Sequence, residues 1–296
     1  MAKLPKKLNR ESEHEENEVQ QSGAVAPFEE VPKLSGVHFN DDRSSEERKL
    51  LRGITKDGVL HDTFTFREMD GADEEAMLKG DLRSNPAKII HVLLDRCVQS
   101  IGTLSKKDFG QREWYDLIRS LYVGDQDFML MTIRAASLGQ EIKLSHICPD
   151  PGCKAKLTTY VDLDELRIEP FKGYDEVPFE LPRGYTHRNR QGETHVIKKG
   201  LLRLATGLDR EVLTPLFKKN PGVAKTMMLT RLTSFSVEDA PPITDQVMKY
   251  MTLRDRNYLQ ELLADNEFGI DGTIECVCST CGEEFQGDLT GADFLS

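Results

Sequence analysis

The stretch "ECVCSTCGEEF" (residues 275–285) places three cysteines within six positions of a chain whose formal net charge is −11. Its CxxC pair, Cys278 and Cys281, is followed by Gly282, a pattern typical of one half of a metal site. Structural zinc sites take four ligands in a tetrahedral arrangement and leave no position open. The pair therefore predicts a second pair of ligands elsewhere in the chain, and the position of that second pair determines the fold.

The second pair lies in "CPDPGC" (residues 148–153), and the sequence that precedes it is related to the sequence that precedes the first. Residues 244–278 align with residues 114–148 without gaps, at a constant offset of 130. The identical pairs are Asp125/Asp255, Gly139/Gly269 and Cys148/Cys278. Apolar positions coincide at helical spacing, as expected if both copies bury the same faces. We predict two related halves that share one ion; the alternative is a chance match between two amphipathic segments.

We predict that the ligands of a structural Zn²⁺ ion are Cys148, Cys153, Cys278 and Cys281. The first pair has the looser CxxxxC spacing, which makes its motif weaker than a CxxC pair. His146 and Cys276 each lie two positions before the first cysteine of a pair, so in a strand they share its face and could replace or support a ligand. Disulfide bonds or free thiols would also be compatible with this spacing.

Helix-start signals precede both copies. Asp70 and Thr206 are capping residues, and each is followed three positions later by an aspartate, Asp73 or Asp209. Residues 86–102 then place apolar side chains on one helical face. We predict an α+β, mainly helical fold: a tandem pseudo-repeat of helical blocks, each ending in a zinc-knuckle β-hairpin, plus a small β-hairpin insertion.

The predicted organisation has four segments, which are an extended or disordered N-terminal arm at residues 1–50, a first repeat at 51–169, the hairpin insertion at 170–200 and a second repeat at 201–296. The arm carries only scattered apolar residues and cannot bury enough surface to fold alone. We expect it to order on a neighbouring subunit, anchored by residues 28–37; the alternative is a solvated leader.

Composition and motifs exclude several functional classes. The net charge of −11 disfavours nucleic acid as a partner, and the acidic "GEEFQGD" after Cys281 disfavours a zinc-ribbon nucleic-acid adaptor. No apolar run approaches the roughly 20 residues needed to cross a bilayer. The basic start is followed by no apolar stretch, so we expect no secretion signal. Phosphate-loop, zinc-protease, serine-hydrolase and kinase motifs are missing, which predicts a protein without enzymatic activity.

In order, "GDQDFMLMTIRAASLG" and "CPDPGC", then "LRDRNYLQELLADNEFG" and "CSTCGEEF", resemble the baseplate-protein family of contractile-tailed, T-even-type bacteriophages. The resemblance covers residues 58–296, with the arm and the 170–200 hairpin particular to this chain. It implies a zinc-ribbon-like feature that maps onto Cys148, Cys153, Cys278 and Cys281; the additional Cys276 departs from the pattern.

This resemblance also implies a role in the virion. We expect a structural component of the tail baseplate hub that is assembled in the host cytoplasm. Its partners would be other hub or wedge proteins and tail tube or spike components. The alternative is an assembly chaperone of the hub that is absent from the mature virion.

Overall fold

The computed structural model describes residues 33–39, 44–79, 82–188, 192–237 and 240–289. The strands are β1 Arg48–Lys56, β2 Val59–Phe66, β3 Val98–Ile101, β4 Leu104–Ser105, β5 Glu141–Ile147, β6 Lys156–Asp162, β7 Ile168–Glu169, β8 Glu176–Arg188, β9 Thr194–Arg203, β10 Thr233–Phe235, β11 Gly269–Ile270, β12 Thr273–Val277 and β13 Glu284–Asp288. The helices are α1 Gly71–Met77, α2 Pro86–Cys97, α3 Gln111–Ser120, α4 Val123–Leu138, α5 Gly207–Lys219, α6 Pro221–Leu232, α7 Asp245–Tyr250 and α8 Leu253–Asn266. Among these helices, none is long and apolar enough to cross a membrane.

The strands form small antiparallel sheets. One sheet has the order β1-β2-β3-β4 and another has the order β10-β9-β8. The remaining strands pair in twos, as β5 with β6, β12 with β13, and β7 with β11. The last of these pairs joins segments that lie far apart in the chain, because Gly269 pairs with Glu169 and Ile270 with Ile168.

The order of elements in residues 48–162, the first half, recurs in residues 176–288, the second half. In each half a hairpin leads to two helices, a strand that returns to the hairpin, two more helices and a final hairpin. Local geometry also recurs, because Asn85 and Asn220 both precede a proline that begins a helix. Tyr122 and Thr252 precede α4 and α8 with the same φ of −62°, followed by ψ of 149° and 150°.

The prediction of a mainly helical chain is wrong. The described residues are 40% helical and 33% strand. Strand β1 escaped the sequence analysis because a bulge near Gly53, with φ +80°, breaks the alternation of buried and exposed positions. The hairpin expected at 170–200 is β8–β9, and it is not a separate insertion, because β10 pairs with it.

Each half has its own core, and together the cores hold the final helices in place. In the first half, Trp114, Phe64 and Phe128 are fully buried. The central helix α4 is buried on most of its faces, which its run of apolar residues around Phe128 requires. In the second half, α8 contributes Leu259 and Leu263 to a core shared with β8 and β9. Each final helix therefore delivers the hairpin after it to a fixed position.

Part of the predicted N-terminal arm packs on its own chain. The Leu34 side chain is buried in the first core, and the Ser35 amide donates to the Asp164 carboxylate at 3.2 Å. The Arg48 guanidinium also donates to the backbone carbonyl of Lys33. Residues 1–32, which include the first half of the predicted anchor, lie outside the described residues, so the binding of that segment to a neighbour stays a prediction.

Candidate metal centre

Two tight turns position the cysteine pairs. In the first, the Cys148 amide donates to the Ala155 carbonyl at 2.9 Å and the Cys153 amide to the Asp150 carbonyl at 3.1 Å. In the second, the Cys278 amide donates to the Glu283 carbonyl, and the Gly282 amide returns to the Cys278 carbonyl, both at 2.8 Å. Each turn bends the chain sharply enough for both of its thiols to face one point.

The structure brings together the four cysteines that the sequence predicts as ligands. The sulfur atoms of Cys148, Cys153, Cys278 and Cys281 all lie within 4.8 Å of one another. The closest approaches join the two halves, with 3.6 Å from Cys148 Sγ to Cys281 Sγ and 3.8 Å from Cys153 Sγ to Cys278 Sγ. A disulfide would require a sulfur separation of about 2.05 Å, so these contacts are not disulfide bonds.

These distances fit a tetrahedral thiolate site. Zn–S bonds of about 2.3 Å in a tetrahedron place neighbouring sulfurs about 3.8 Å apart. The four cysteines could therefore hold one metal ion with little movement of either turn. Four protein ligands leave no position for water or substrate, so such a site would link the halves and would not activate a nucleophile.

The surroundings favour a thiolate at one of the four cysteines, Cys278. The backbone amides of Cys281 and Thr280 point at the Cys278 sulfur and lower the pKa of Cys278 to about 6, against the opposing effect of burial. A thiolate is the form that binds metal ions, so Cys278 is ready to bind near neutral pH. Cys148 and Cys278 are buried, Cys153 is half-buried and Cys281 is exposed, which leaves one side of the site open to an arriving ion.

His146 and Cys276 lie outside the sulfur cluster, although the sequence left both open as ligands. The His146 ring packs edge-on against Phe285, with centroids 6.2 Å apart, and lies against Gly287. Its Nε2 atom has no hydrogen-bond partner among the described residues. Cys276 is buried in β12 opposite Phe285. Both residues therefore pack beside the candidate site, His146 in the β5–β6 hairpin and Cys276 in the β12–β13 hairpin.

A second junction between the halves was missed by the sequence analysis. The Arg210 guanidinium binds both carboxylate oxygens of Asp127, at 2.7 and 2.6 Å. Its neighbour Glu211 forms an ion pair with Arg119, with 2.9 Å between Oε2 and Nε, and lies 3.2 Å from His91 Nδ1. The opposite charges of the adjacent residues Arg210 and Glu211 are the only local signal of their role, and these charges do not indicate which residues they bind.

Comparison with known protein families gives a match over the first half and the start of the second half. Residues 50–194 match the family model described as T4 bacteriophage base plate protein. Over these residues the chain belongs to the T4-type phage baseplate family. No curated protein and no solved structure matches it.

The bounds of the family match in this baseplate protein differ from the bounds that the sequence analysis expected. It contains the first cysteine pair, Cys148 and Cys153, whereas Cys278 and Cys281 lie beyond its end. It also extends through β8 to Thr194, so most of the 170–200 hairpin belongs to the family and is not particular to this chain. The predicted family is confirmed, and association with other baseplate components follows from it.

Proposed function

We propose that this baseplate protein is a non-enzymatic structural component of the hub, in which one Zn²⁺ ion joins its two halves. The observation that carries the proposal is the set of four sulfurs within 4.8 Å, two from each half. Because the ligands would come from hairpins about 130 positions apart, ion binding would close a long loop and stabilise the fold. The family match supports the structural role.

Metal analysis of the purified chain tests the zinc ion. We expect about one zinc per chain by atomic emission, as for other structural sites, and none in the Cys278→Ser/Cys281→Ser double variant. Cys97→Ser is the matched control, because Cys97 is buried in the first core, away from the cluster. A wild-type chain without bound metal, purified without chelators, would contradict the proposal.

Mass spectrometry of purified virions tests the location. A structural component is retained, so its peptides should be found in mature particles and in isolated baseplates. Peptides found only in assembly intermediates would contradict retention and favour the alternative, an assembly chaperone of the hub. Cross-linking in the isolated baseplate then identifies the neighbouring subunits and decides between hub and wedge.

A further inference from the structure

One contact between the two halves joins a corner of the first half to a different corner of the second half. Because the halves repeat the same elements, each half also carries a counterpart of the corner that the other half uses, and we call this counterpart the unused copy. The corner between α3 and α4 binds the corner between β9 and α5. The Val123 amide donates to the Ala205 carbonyl at 3.0 Å, and the Gly207 amide donates to the Leu121 carbonyl at 2.9 Å. A Cβ atom on Gly207 would lie 1.9 Å from Gln126 Nε2. The two corners are thus in direct contact through their backbones.

The unused copy of the α3–α4 corner is the α7–α8 corner, residues 249–254, which we call the basic corner. Its backbone angles at Thr252 match those at Tyr122 within a degree. Tyr250 and Leu253 are each 76% exposed, an unusual exposure for large apolar side chains that follow one another so closely. Lys249 and Arg254 are exposed beside them, so the surface is apolar with positive charges at its edge.

The unused copy of the β9–α5 corner is the β2–α1 corner, residues 68–75, which we call the acidic corner. Gly71 begins α1 as Gly207 begins α5, after the same capping box. Within the described part of the chain, a Cβ atom on Gly71 would meet nothing within 4 Å, so the space that Gln126 fills at Gly207 is empty here. Glu68, Glu74 and Glu75 are exposed around it.

We propose that the basic corner of one copy of this chain binds the acidic corner of a second copy, in the way that the α3–α4 corner binds the β9–α5 corner. Alignment of the halves places Leu253 at the position of Val123. Lys249 is the counterpart of Arg119, and Glu75 is the counterpart of Glu211. Arg119 and Glu211 form an ion pair at 2.9 Å within the chain, so Lys249 of one copy would pair with Glu75 of the other. The charges of the two free corners are therefore complementary.

The two binding surfaces differ, so the association is head to tail. Such an interface leaves a free corner at each end and builds rings or filaments, whereas a two-fold interface stops at a dimer. The proposal depends on the packing of the halves and does not depend on the metal ion or on hub location.

Two single variants each block one corner, and neither substitution should destabilise the fold. Gly71→Gln places a side chain where the partner would sit, and its position at the start of a helix has no positive φ to strain it. Leu253→Asp adds a negative charge at the first position of α8, where an acidic residue suits the helix dipole. Val59→Asp, at another exposed apolar position on β2, is the control.

Sedimentation velocity of the full-length chain over a range of micromolar concentrations measures the association. We expect the wild-type chain and Val59→Asp to shift to larger species as concentration rises, and each corner variant to lose this shift. A mixture of Gly71→Gln with Leu253→Asp still has one intact corner of each kind, so it should form dimers and nothing larger. A wild-type chain that stays monomeric throughout, or a mixture that stays monomeric, would overturn the proposal.

Discussion

The carboxylate of Asp125 binds the amide of Gly53 at 2.8 Å, directly at the bulge of the outer strand β1. It also accepts the amides of Leu51 and Arg52, at 2.9 and 3.0 Å. The second half repeats this arrangement, because Asp255 accepts the amide of Arg183 in the outer strand β8 at 2.7 Å. Each half thus uses a buried aspartate of its last long helix to satisfy an edge strand that would otherwise expose free amides.

Replacing Asp125 by alanine should therefore destabilise the first half strongly. Three buried amides would lose their partner, and each unsatisfied group costs about 1–3 kcal/mol. We expect the free energy of unfolding to fall by about 3 kcal/mol or more in urea denaturation. Asp162→Ala is the control, because its exposed carboxylate binds one amide, that of Asp164. An Asp125→Ala chain as stable as this control would contradict the role assigned to Asp125.

The glycines that begin α1 and α5 give a matched test of the contact between the halves. Gly207→Ala brings a methyl group to 1.9 Å from Gln126 Nε2, and Gln126 is buried and bound to the Ile118 carbonyl. We expect a loss of about 2 kcal/mol, typical of overpacking. Gly71→Ala makes the same change at the open position and should leave stability unchanged or slightly higher. Thermal unfolding at low protein concentration measures both variants. Equal effects of the two substitutions would show that the contact between Gly207 and Gln126 is not tightly packed.

The cysteine cluster and α4 could be predicted because both follow from local patterns. Spacing at a fixed offset marked Cys148 and Cys278 as counterparts, and their sulfurs do lie in one cluster. Helical spacing of the apolar positions in residues 114–148 indicated helices there, and α4 lies within this range. Each cysteine pair and each run of helical spacing lies within a short stretch of the chain, so these patterns can be recognised without knowledge of the fold.

The partners of Asp73 and Asp209 could not be predicted in the same way. The sequence analysis recognised both as the acidic residue that follows a helix cap, yet each is fully buried between two arginines. One arginine lies six positions before the aspartate, but the other, Arg96 or Arg231, comes from the end of the following helix. Only the packing of that helix brings the second arginine to the aspartate, so no local pattern in the sequence predicts this contact.

The roles of His146 and Cys276 can be separated from those of the ligands by metal content. Because both lie outside the sulfur cluster, Cys276→Ser and His146→Ala should each keep about one zinc per chain. Cys278→Ser removes a sulfur from the cluster and should lower metal content and the melting temperature together. Loss of zinc in Cys276→Ser, with Cys278→Ser unaffected, would reassign the second pair.

The buried aspartate of the second half should make stability depend on pH in acid. Burial alone would raise the pKa of Asp209, but hydrogen bonds from Arg203, from the Thr206 amide and from Arg231 outweigh it and lower the pKa to about 2, from a usual 3.8. A carboxyl with a lowered pKa stabilises the fold above its unfolded pKa and loses that effect as pH falls towards its folded pKa. The shift corresponds to about 2 kcal/mol at neutral pH.

Asp209→Asn should therefore cost at least about 2 kcal/mol of the free energy of unfolding at pH 7. Most of this difference should vanish between about pH 4 and pH 2, because the wild-type carboxyl then becomes neutral like the amide. Urea denaturation of both chains from neutral pH downwards measures the gap. Asp164→Asn, which removes an exposed carboxyl near Ser35, is the control and should show a small gap throughout. A gap for Asp209→Asn that stays constant across this range would show that its carboxylate is not the group that the two arginines stabilise.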